Sequence, residues 1–199
     1  HEDGDGEGED EGQSESEGNI ECWGYNYKGQ NNPTDGADYL AVAAGGNFTC
    51  ALNEMGGIEC WGDDSQGVVS GAPAGNGYSA VVSGSSGSCA LKEEGGIECW
   101  GWGYYDHESA KPPGAGYLDI TANMFHTCAL DSDGGIQCWG RDDDGVDDFG
   151  QVSDTPSGTG FKAIAAGRDH NCSLTAEGRI ECWGDDSHGE VSGAPAGNG

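Results

Sequence analysis

The stretch CALNEMGGIECWG, residues 50–62, decides the fold, because the chain repeats it. Copies follow at residues 89–101 (CALKEEGGIECWG), 128–140 (CALDSDGGIQCWG) and 172–184 (CSLTAEGRIECWG), and a half copy, NIECWG, stands at residues 19–24. The second cysteines of these units, at positions 22, 60, 99, 138 and 182, are 38, 39, 39 and 44 residues apart. A period near 40 residues with Gly, Cys and Trp at fixed places is typical of a four-stranded propeller blade. The sequence therefore predicts an all-β propeller with blades of about 39 residues.

The two glycines in the middle of the repeat mark a tight turn between two antiparallel strands. With the turn centred there, Leu52 faces Ile58 and Cys50 faces Cys60. Directly opposed residues have Cβ atoms about 4.5–5.5 Å apart, which local adjustment brings into disulfide range. The spacing predicts a Cys-x9-Cys hairpin in every full repeat.

Eight of the nine cysteines form four pairs with this spacing: Cys50 and Cys60, Cys89 and Cys99, Cys128 and Cys138, and Cys172 and Cys182. Paired cysteines also bind zinc, but zinc ligands come in close C-x2-4-C pairs, whereas nine residues separate these. We therefore favour four disulfides, which indicate an oxidising compartment, outside the cell or at its surface. Cys22 has no cysteine ten residues upstream, so it is either unpaired or bonded to another chain.

Two regions follow from the composition. Residues 1–18 carry nine carboxylates and no large apolar side chain, which predicts an acidic, disordered tail or linker. Residues 19–199 hold the propeller repeats, as four complete hairpin units with half units at both ends. We expect either a fragment of a longer chain or ends that another subunit completes in a head-to-tail contact.

The chain has 36 acidic and 7 basic residues and a net charge of −29. A nucleic-acid or anionic-membrane surface needs clustered lysine and arginine, so the charge argues against both kinds of partner. No apolar run approaches the roughly 20 residues of a membrane helix, and we expect no membrane insertion.

Acidic loops are the candidate metal sites. Asp142, Asp144 and Asp147 surround a glycine turn and offer oxygen ligands for calcium, although Ser153 stands where an EF-hand loop has its twelfth-position glutamate. A solvated acidic loop is the alternative. No cofactor is required, and calcium is the one ion that the sequence suggests.

Three further positions bear on function. Asn47 begins an N-glycosylation triplet, Asn-Phe-Thr, close to a predicted strand, which is a poor place for a bulky sugar. Trp102, Tyr104 and Tyr105 gather aromatic side chains on one loop, as binding hot spots do, although packing against a neighbouring blade is the alternative. The scattered histidines form no catalytic constellation, so we predict no catalytic residues and no enzyme.

The repeat resembles the regulator-of-chromosome-condensation type of propeller. The resemblance rests on residues 42–52, 120–130 and 20–30, which match parts of the joined pattern small-small-Gly-x-x-His/Phe-Thr-Cys-Ala-Leu, turn, Gly-x-Ile-x-Cys-Trp-Gly-x-Asn-x-x-Gly-Gln. The cysteine-bearing, short-period form is similar to secreted prokaryotic versions. Members of the family exchange guanine nucleotides, scaffold ubiquitin ligases, inhibit β-lactamases or mediate adhesion, and share protein contacts through propeller faces. The acidity of this chain argues against the nuclear exchange function.

The sequence thus predicts a non-enzymatic extracellular propeller, a surface or structural protein that contacts other proteins or itself and assembles into a fibre or larger array. The alternative is a secreted inhibitor or adhesin that binds one target protein through a propeller face.

Overall fold

The computed structural model describes residues 20–34, 38–101, 111–142 and 148–195. These residues form four antiparallel sheets of three strands each, and every sheet takes consecutive strands of the chain. We number the sheets as blades in chain order. Blade 1 contains β1 (Tyr39–Ala44), β2 (Phe48–Asn53) and β3 (Ile58–Gly62); blade 2 contains β4 (Tyr78–Ser83), β5 (Gly87–Lys92) and β6 (Ile97–Gly101); blade 3 contains β7 (Tyr117–Ala122), β8 (His126–Asp131) and β9 (Ile136–Gly140); blade 4 contains β10 (Phe161–Ala166), β11 (His170–Thr175) and β12 (Ile180–Gly184).

The second and third strands of each blade pair in the predicted register. Cys50 lies opposite Cys60 and Leu52 lies opposite Ile58, and the other blades repeat this pairing. All four hairpin disulfides form, with S–S distances of 2.02–2.11 Å. The all-β class and the repeated cysteine hairpin are therefore confirmed.

The number of strands in a blade differs from the prediction, because the described sheets have three strands and not four. The segment after β3 uses its backbone groups locally: the Gly67 N–H donates to the Asp64 carbonyl at 3.0 Å, and the Gly71 N–H donates to the Gly67 carbonyl at 3.0 Å. Backbone groups bonded within such turns cannot also bond to a neighbouring strand. The polar segment between blades 1 and 2 therefore forms turns.

Neighbouring blades pack face to face and share the core. The first strand of each following blade contacts the first two strands of the preceding one, β4 against β1 and β2, β7 against β4 and β5, and β10 against β7 and β8. Between blades 1 and 2, Leu52 and Ile58 pack with Tyr78, Val81 and Trp100. The same positions meet between the later blades, so one interface occurs three times in the described chain.

Hairpin turns approach the next blade closely enough to require glycine. Gly95 has a φ of +82°, and a Cβ at this position would lie 2.5 Å from the backbone nitrogen of Gly116 at the start of blade 3. Only glycine adopts this conformation without strain and leaves room for the neighbouring backbone. The turn of the repeat therefore fixes the spacing between blades as well as the hairpin.

Candidate binding surfaces

Blade 4 exposes the apolar residues that its predecessors bury. Leu174 is 37% exposed and Ile180 is 42% exposed, whereas Leu52 and Ile58, at the same register positions in blade 1, are 3% and 8% exposed. In blades 1–3 the following blade covers this pair; no blade within the described residues follows blade 4. We call Leu174 and Ile180 the blade-4 end face.

Blade 1 exposes the opposite half of the same interface. Val42 on β1 is 55% exposed, and its register equivalents Val81, Ile120 and Ile164 are 7%, 5% and 8% exposed. The latter three residues pack against the preceding blade. We call the surface around Val42 the blade-1 end face.

A hydrogen bond from tryptophan ties each of three blades to the segment before it. Trp61 Nε1–H donates to the Gln30 carbonyl at 2.8 Å, Trp100 Nε1–H to the Val68 carbonyl at 2.9 Å, and Trp183 Nε1–H to the Gln151 carbonyl at 3.1 Å. Residues 20–34 thus cap the tryptophan of blade 1, as the segment between two blades does elsewhere. They leave Val42 open to solvent.

Tyrosine–glutamate pairs bridge the first and third strands of a blade, and the sequence reasoning missed them. The Tyr78 hydroxyl donates to Glu98 Oε2 at 2.7 Å, and the Tyr39 hydroxyl donates to Glu59 Oε2 at 3.0 Å. Burial of the Tyr78 hydroxyl, and to a lesser extent its hydrogen bond to the Glu98 carboxylate, raises the pKa of Tyr78 to about 12. The bond from Tyr78 lowers the pKa of Glu98. The sequence held a clue in the constant separation of 20 residues between each tyrosine and its glutamate.

Blades 3 and 4 are joined by a buried polar network. The His126 side chain is fully buried, and its Nε2 lies 2.6 Å from Asn171 Oδ1. Asn171 Nδ2 donates to the Gln151 carbonyl at 2.9 Å. His126 therefore has a packing role, and the Asn171 amide, which starts a second glycosylation triplet, is inaccessible in the folded blade. Asn47 is exposed just before β2, and its glycosylation stays a prediction.

The predicted aromatic patch, Trp102, Tyr104 and Tyr105, lies outside the described residues, as do Asp144 and Asp147 of the predicted calcium site. Asp142 is described and is exposed. Cys22 is half-buried and has no disulfide partner among the described cysteines. Calcium binding and an intermolecular bond at Cys22 therefore stay predictions.

A different group of side chains is placed to hold a metal ion. One ligand atom each from Asp185, His188 and Glu190 lies within 4.8 Å of the other two. The Ser187 hydroxyl and the Ser187 backbone N–H both donate hydrogen bonds to Asp185. These two bonds, of which the one from the hydroxyl has the larger effect, lower the pKa of Asp185 and keep its carboxylate ionised. The sequence analysis predicted a metal site only at Asp142, Asp144 and Asp147 and did not connect Asp185 with His188.

Comparison with known proteins supports the repeat assignment. The family model described as the Regulator of chromosome condensation (RCC1) repeat matches residues 118–146 and 161–190, which fall in blades 3 and 4. No curated protein matches the chain. The described residues contain no helix that is long and apolar enough to span a membrane.

Solved structures with the same architecture include two plant receptor ectodomains. The ectodomain of the Physcomitrella patens receptor kinase CR4 has 28% identity and a TM-score of 0.67, over 83% of this chain and 43% of that one. The CRINKLY WD40 ectodomain of the Arabidopsis thaliana receptor kinase ACR4 has 26% identity and a TM-score of 0.69, over 89% of this chain and 60% of that one.

Prp20p from Saccharomyces cerevisiae, described with its binding to Gsp1p and histones, has 18% identity and a TM-score of 0.65, over 84% of this chain and 50% of that one. At this identity the likeness concerns the fold alone. The chain spans about half the length of these three structures. Its repeats, its blades and the matching structures thus show a β-propeller repeat fold similar to that of the regulator-of-chromosome-condensation type, with the family model matching two of the four described blades.

Proposed function

We propose that this protein is a non-enzymatic interaction module that acts outside the cytosol and binds a second copy of itself through its two end faces. The observation that carries the proposal is the complementarity of these faces. The blade-4 end face exposes Leu174 and Ile180, and the blade-1 end face exposes Val42. These are the two halves of the interface that joins neighbouring blades three times within the described residues.

The internal interface indicates what would cover each face. Leu52 and Ile58 of blade 1 pack with Val81 of blade 2, so Leu174 and Ile180 would pack with Val42 of another copy. Complete burial of one such side chain contributes roughly 1.5–3 kcal/mol. A contact of this kind is heterologous, because each copy uses one face and leaves the other open, and it can extend into a ring or a filament.

Two observations support a location outside the cytosol. Four disulfides join the hairpins, and disulfides persist in oxidising compartments. Two of the similar structures described above are plant receptor ectodomains. Among the histidines, His126 is fully buried and bonded to Asn171 between two blades, so it packs the blades and is not accessible to a substrate.

Sedimentation of the purified chain, with its disulfides intact, tests the end-face contact. Ile180→Asp places a charge on the blade-4 end face, and we expect it to shift the protein to a smaller species. Leu118→Asp is the matched control, because Leu118 is 65% exposed on β7 and lies outside the blade interfaces. It should sediment like the wild type.

The experiment is best run at high salt, because copies with a charge of −29 repel each other at low ionic strength. A wild-type chain that stays monomeric at high salt and high concentration would contradict the proposal. Equal association of the wild type and Ile180→Asp would show that copies meet through another surface, and would also contradict it.

A further inference from the structure

Blade 4 contains a cavity whose wall carries several ionisable side chains. It measures about 390 Å³ and lies between the β10–β11 turn and the segment after β12. Six ionisable side chains line its wall: Arg168, Asp169, His170, Asp185, His188 and Glu190. None of these residues belongs to the two end faces.

Blade 1 has a cavity at the same place in the repeat, and its wall is mostly neutral. This cavity measures only about 40 Å³ and is lined in part by Asn47, Phe48, Asp63, Gln66 and Val68. The backbone is the same in both places, since the N–H of the residue after β3 or β12 donates to the carbonyl at position 47 or 169, at 2.9 and 2.8 Å. The two cavities therefore differ in their side chains.

Four neutral wall residues of blade 1 are replaced by possible metal ligands in blade 4. Residues 63–73 (DDSQGVVSGAP) and 185–195 (DDSHGEVSGAP) differ at two positions only, where Gln66 and Val68 give way to His188 and Glu190. In the β1–β2 and β10–β11 turns, Asn-Phe at 47–48 gives way to Asp-His at 169–170. Four changes in one direction, all around one cavity, distinguish blade 4 from blade 1; one of them, the histidine at position 170, also occurs in blade 3 as His126.

The geometry of three of these residues is close to that of a metal site. The ligand atoms of Asp185, His188 and Glu190 all lie within 4.8 Å of one another, and His188 Nδ1 is 3.5 Å from Glu190 Oε1. Ligands about 2.1 Å from a tetrahedral zinc ion are about 3.4 Å apart. His188 is exposed, so its ring can rotate and the three groups can close around an ion.

The charge of the cavity favours a divalent cation. Asp169, Asp185 and Glu190 contribute three negative charges, and Arg168 contributes one positive charge. Arg168 Nε lies 3.4 Å from Asp169 Oδ2 and so compensates that carboxylate. Two negative charges remain beside the two imidazoles, and a doubly charged ion balances them.

We propose that Asp185, His188 and Glu190 bind a divalent first-row transition ion, with His170 and Asp169 on the wall of the same cavity. One imidazole with two carboxylates suits zinc and its neighbours, whereas calcium prefers oxygen ligands alone. The site is independent of the end-face contact and of the predicted calcium loop at Asp142.

The test is zinc binding by the folded chain, freed of metal with a chelator and followed by calorimetry. The double variant H188Q/E190V makes residues 185–195 identical to residues 63–73, a sequence that the protein already folds in blade 1. Both proteins should carry Cys22→Ser, because a free thiol also binds zinc. The acidic residues 1–18 are common to both.

We expect the chain with the native residues at 188 and 190 to bind one zinc ion. The double variant should bind zinc more weakly by more than the roughly 10–100-fold that a change next to a metal ligand costs. E181Q, which removes an exposed carboxylate on β12 of the same blade, should bind zinc like the wild type. Imidazole NMR should show the His188 resonances move on addition of zinc and stay in place with calcium. Equal zinc binding by H188Q/E190V, or unmoved His188 resonances at saturating zinc, would overturn the proposal.

Discussion

Tyr78 and Glu98 illustrate how a blade binds its first strand to its third through side chains alone. The hydroxyl of Tyr78 donates to the Glu98 carboxylate, and Lys92 Nζ lies 3.1 Å from the same oxygen. Burial of the ring and the nearby negative charge both favour the neutral phenol, so the pKa of Tyr78 rises to about 12. In blade 4 the equivalent residue is Phe161, which cannot make this bond, and Glu181 there is exposed.

This shift predicts a loss of stability at alkaline pH. An unfolded tyrosine ionises near its ordinary value of 10.0, whereas folded Tyr78 ionises only near 12. The stabilisation is therefore complete below pH 10 and is lost as the pH rises from 10 to 12. Thermal unfolding at several pH values, with Cys22→Ser as the background to prevent disulfide exchange, measures the effect.

Tyr78→Phe should show a flatter loss of thermal stability between pH 10 and pH 12 than the wild type. Tyr25→Phe, at a residue that is 72% exposed, serves as the control and should follow the wild type. Parallel pH profiles for the wild type and Tyr78→Phe would refute the assigned role of the pair.

The hairpin turn is the element that couples one blade to the next. Gly95 in blade 2 and Gly178 in blade 4 have nearly the same φ, +82° and +81°. A Cβ at Gly95 would meet the Gly116 nitrogen at 2.5 Å, whereas a Cβ at Gly178 meets nothing within 4 Å. The two turns therefore separate the effect of backbone conformation from the effect of blade contact.

Gly95→Ala should lower the thermal midpoint more than Gly178→Ala. Both substitutions place alanine in a left-handed conformation, at a cost of about 1–2 kcal/mol. Gly95→Ala must in addition push blade 3 away from blade 2. Thermal unfolding of the two variants measures the difference, and equal midpoints would contradict the close approach of the blades.

Much of this element could be predicted from the sequence. The glycine turn and the constant Cys-x9-Cys spacing determine which residues face each other, so Cys50 opposite Cys60 and Leu52 opposite Ile58 could be predicted from the repeat alone. The number of strands could not, because a polar segment such as residues 63–73 can form turns or an edge strand with the same composition.

The functional surfaces were beyond the sequence for a physical reason. Val42 and Val81 occupy the same position in the repeat, yet one is 55% exposed and the other 7%, because exposure depends on whether a blade lies alongside. Likewise, the candidate zinc cavity depends on side chains from two segments, at residues 168–170 and 185–190, which only the folded blade brings together. The sequence shows His188 and Glu190 close together, but it does not show that residues 168–170 lie beside them in the folded blade.

At the scale of the whole molecule, the described blades follow one another so that each buries apolar side chains of the next, and each hairpin carries a disulfide. Stability in such arrays comes from the individual repeats and from the interfaces between them. The open faces at the two ends then follow from the architecture, since the described blades at the ends lack one neighbour each. Disulfides hold every hairpin in register whether or not its faces are covered.

The most direct test of this account is disulfide mapping by mass spectrometry of protein isolated from its native source and digested without reduction. We expect peptides that link Cys50 to Cys60, Cys89 to Cys99, Cys128 to Cys138 and Cys172 to Cys182, with no cross-linking between repeats. This result would establish both the hairpin register and an oxidising location. Free thiols at these positions, or bonds between different repeats, would contradict the disulfide-closed blade and, with it, the proposed role outside the cytosol.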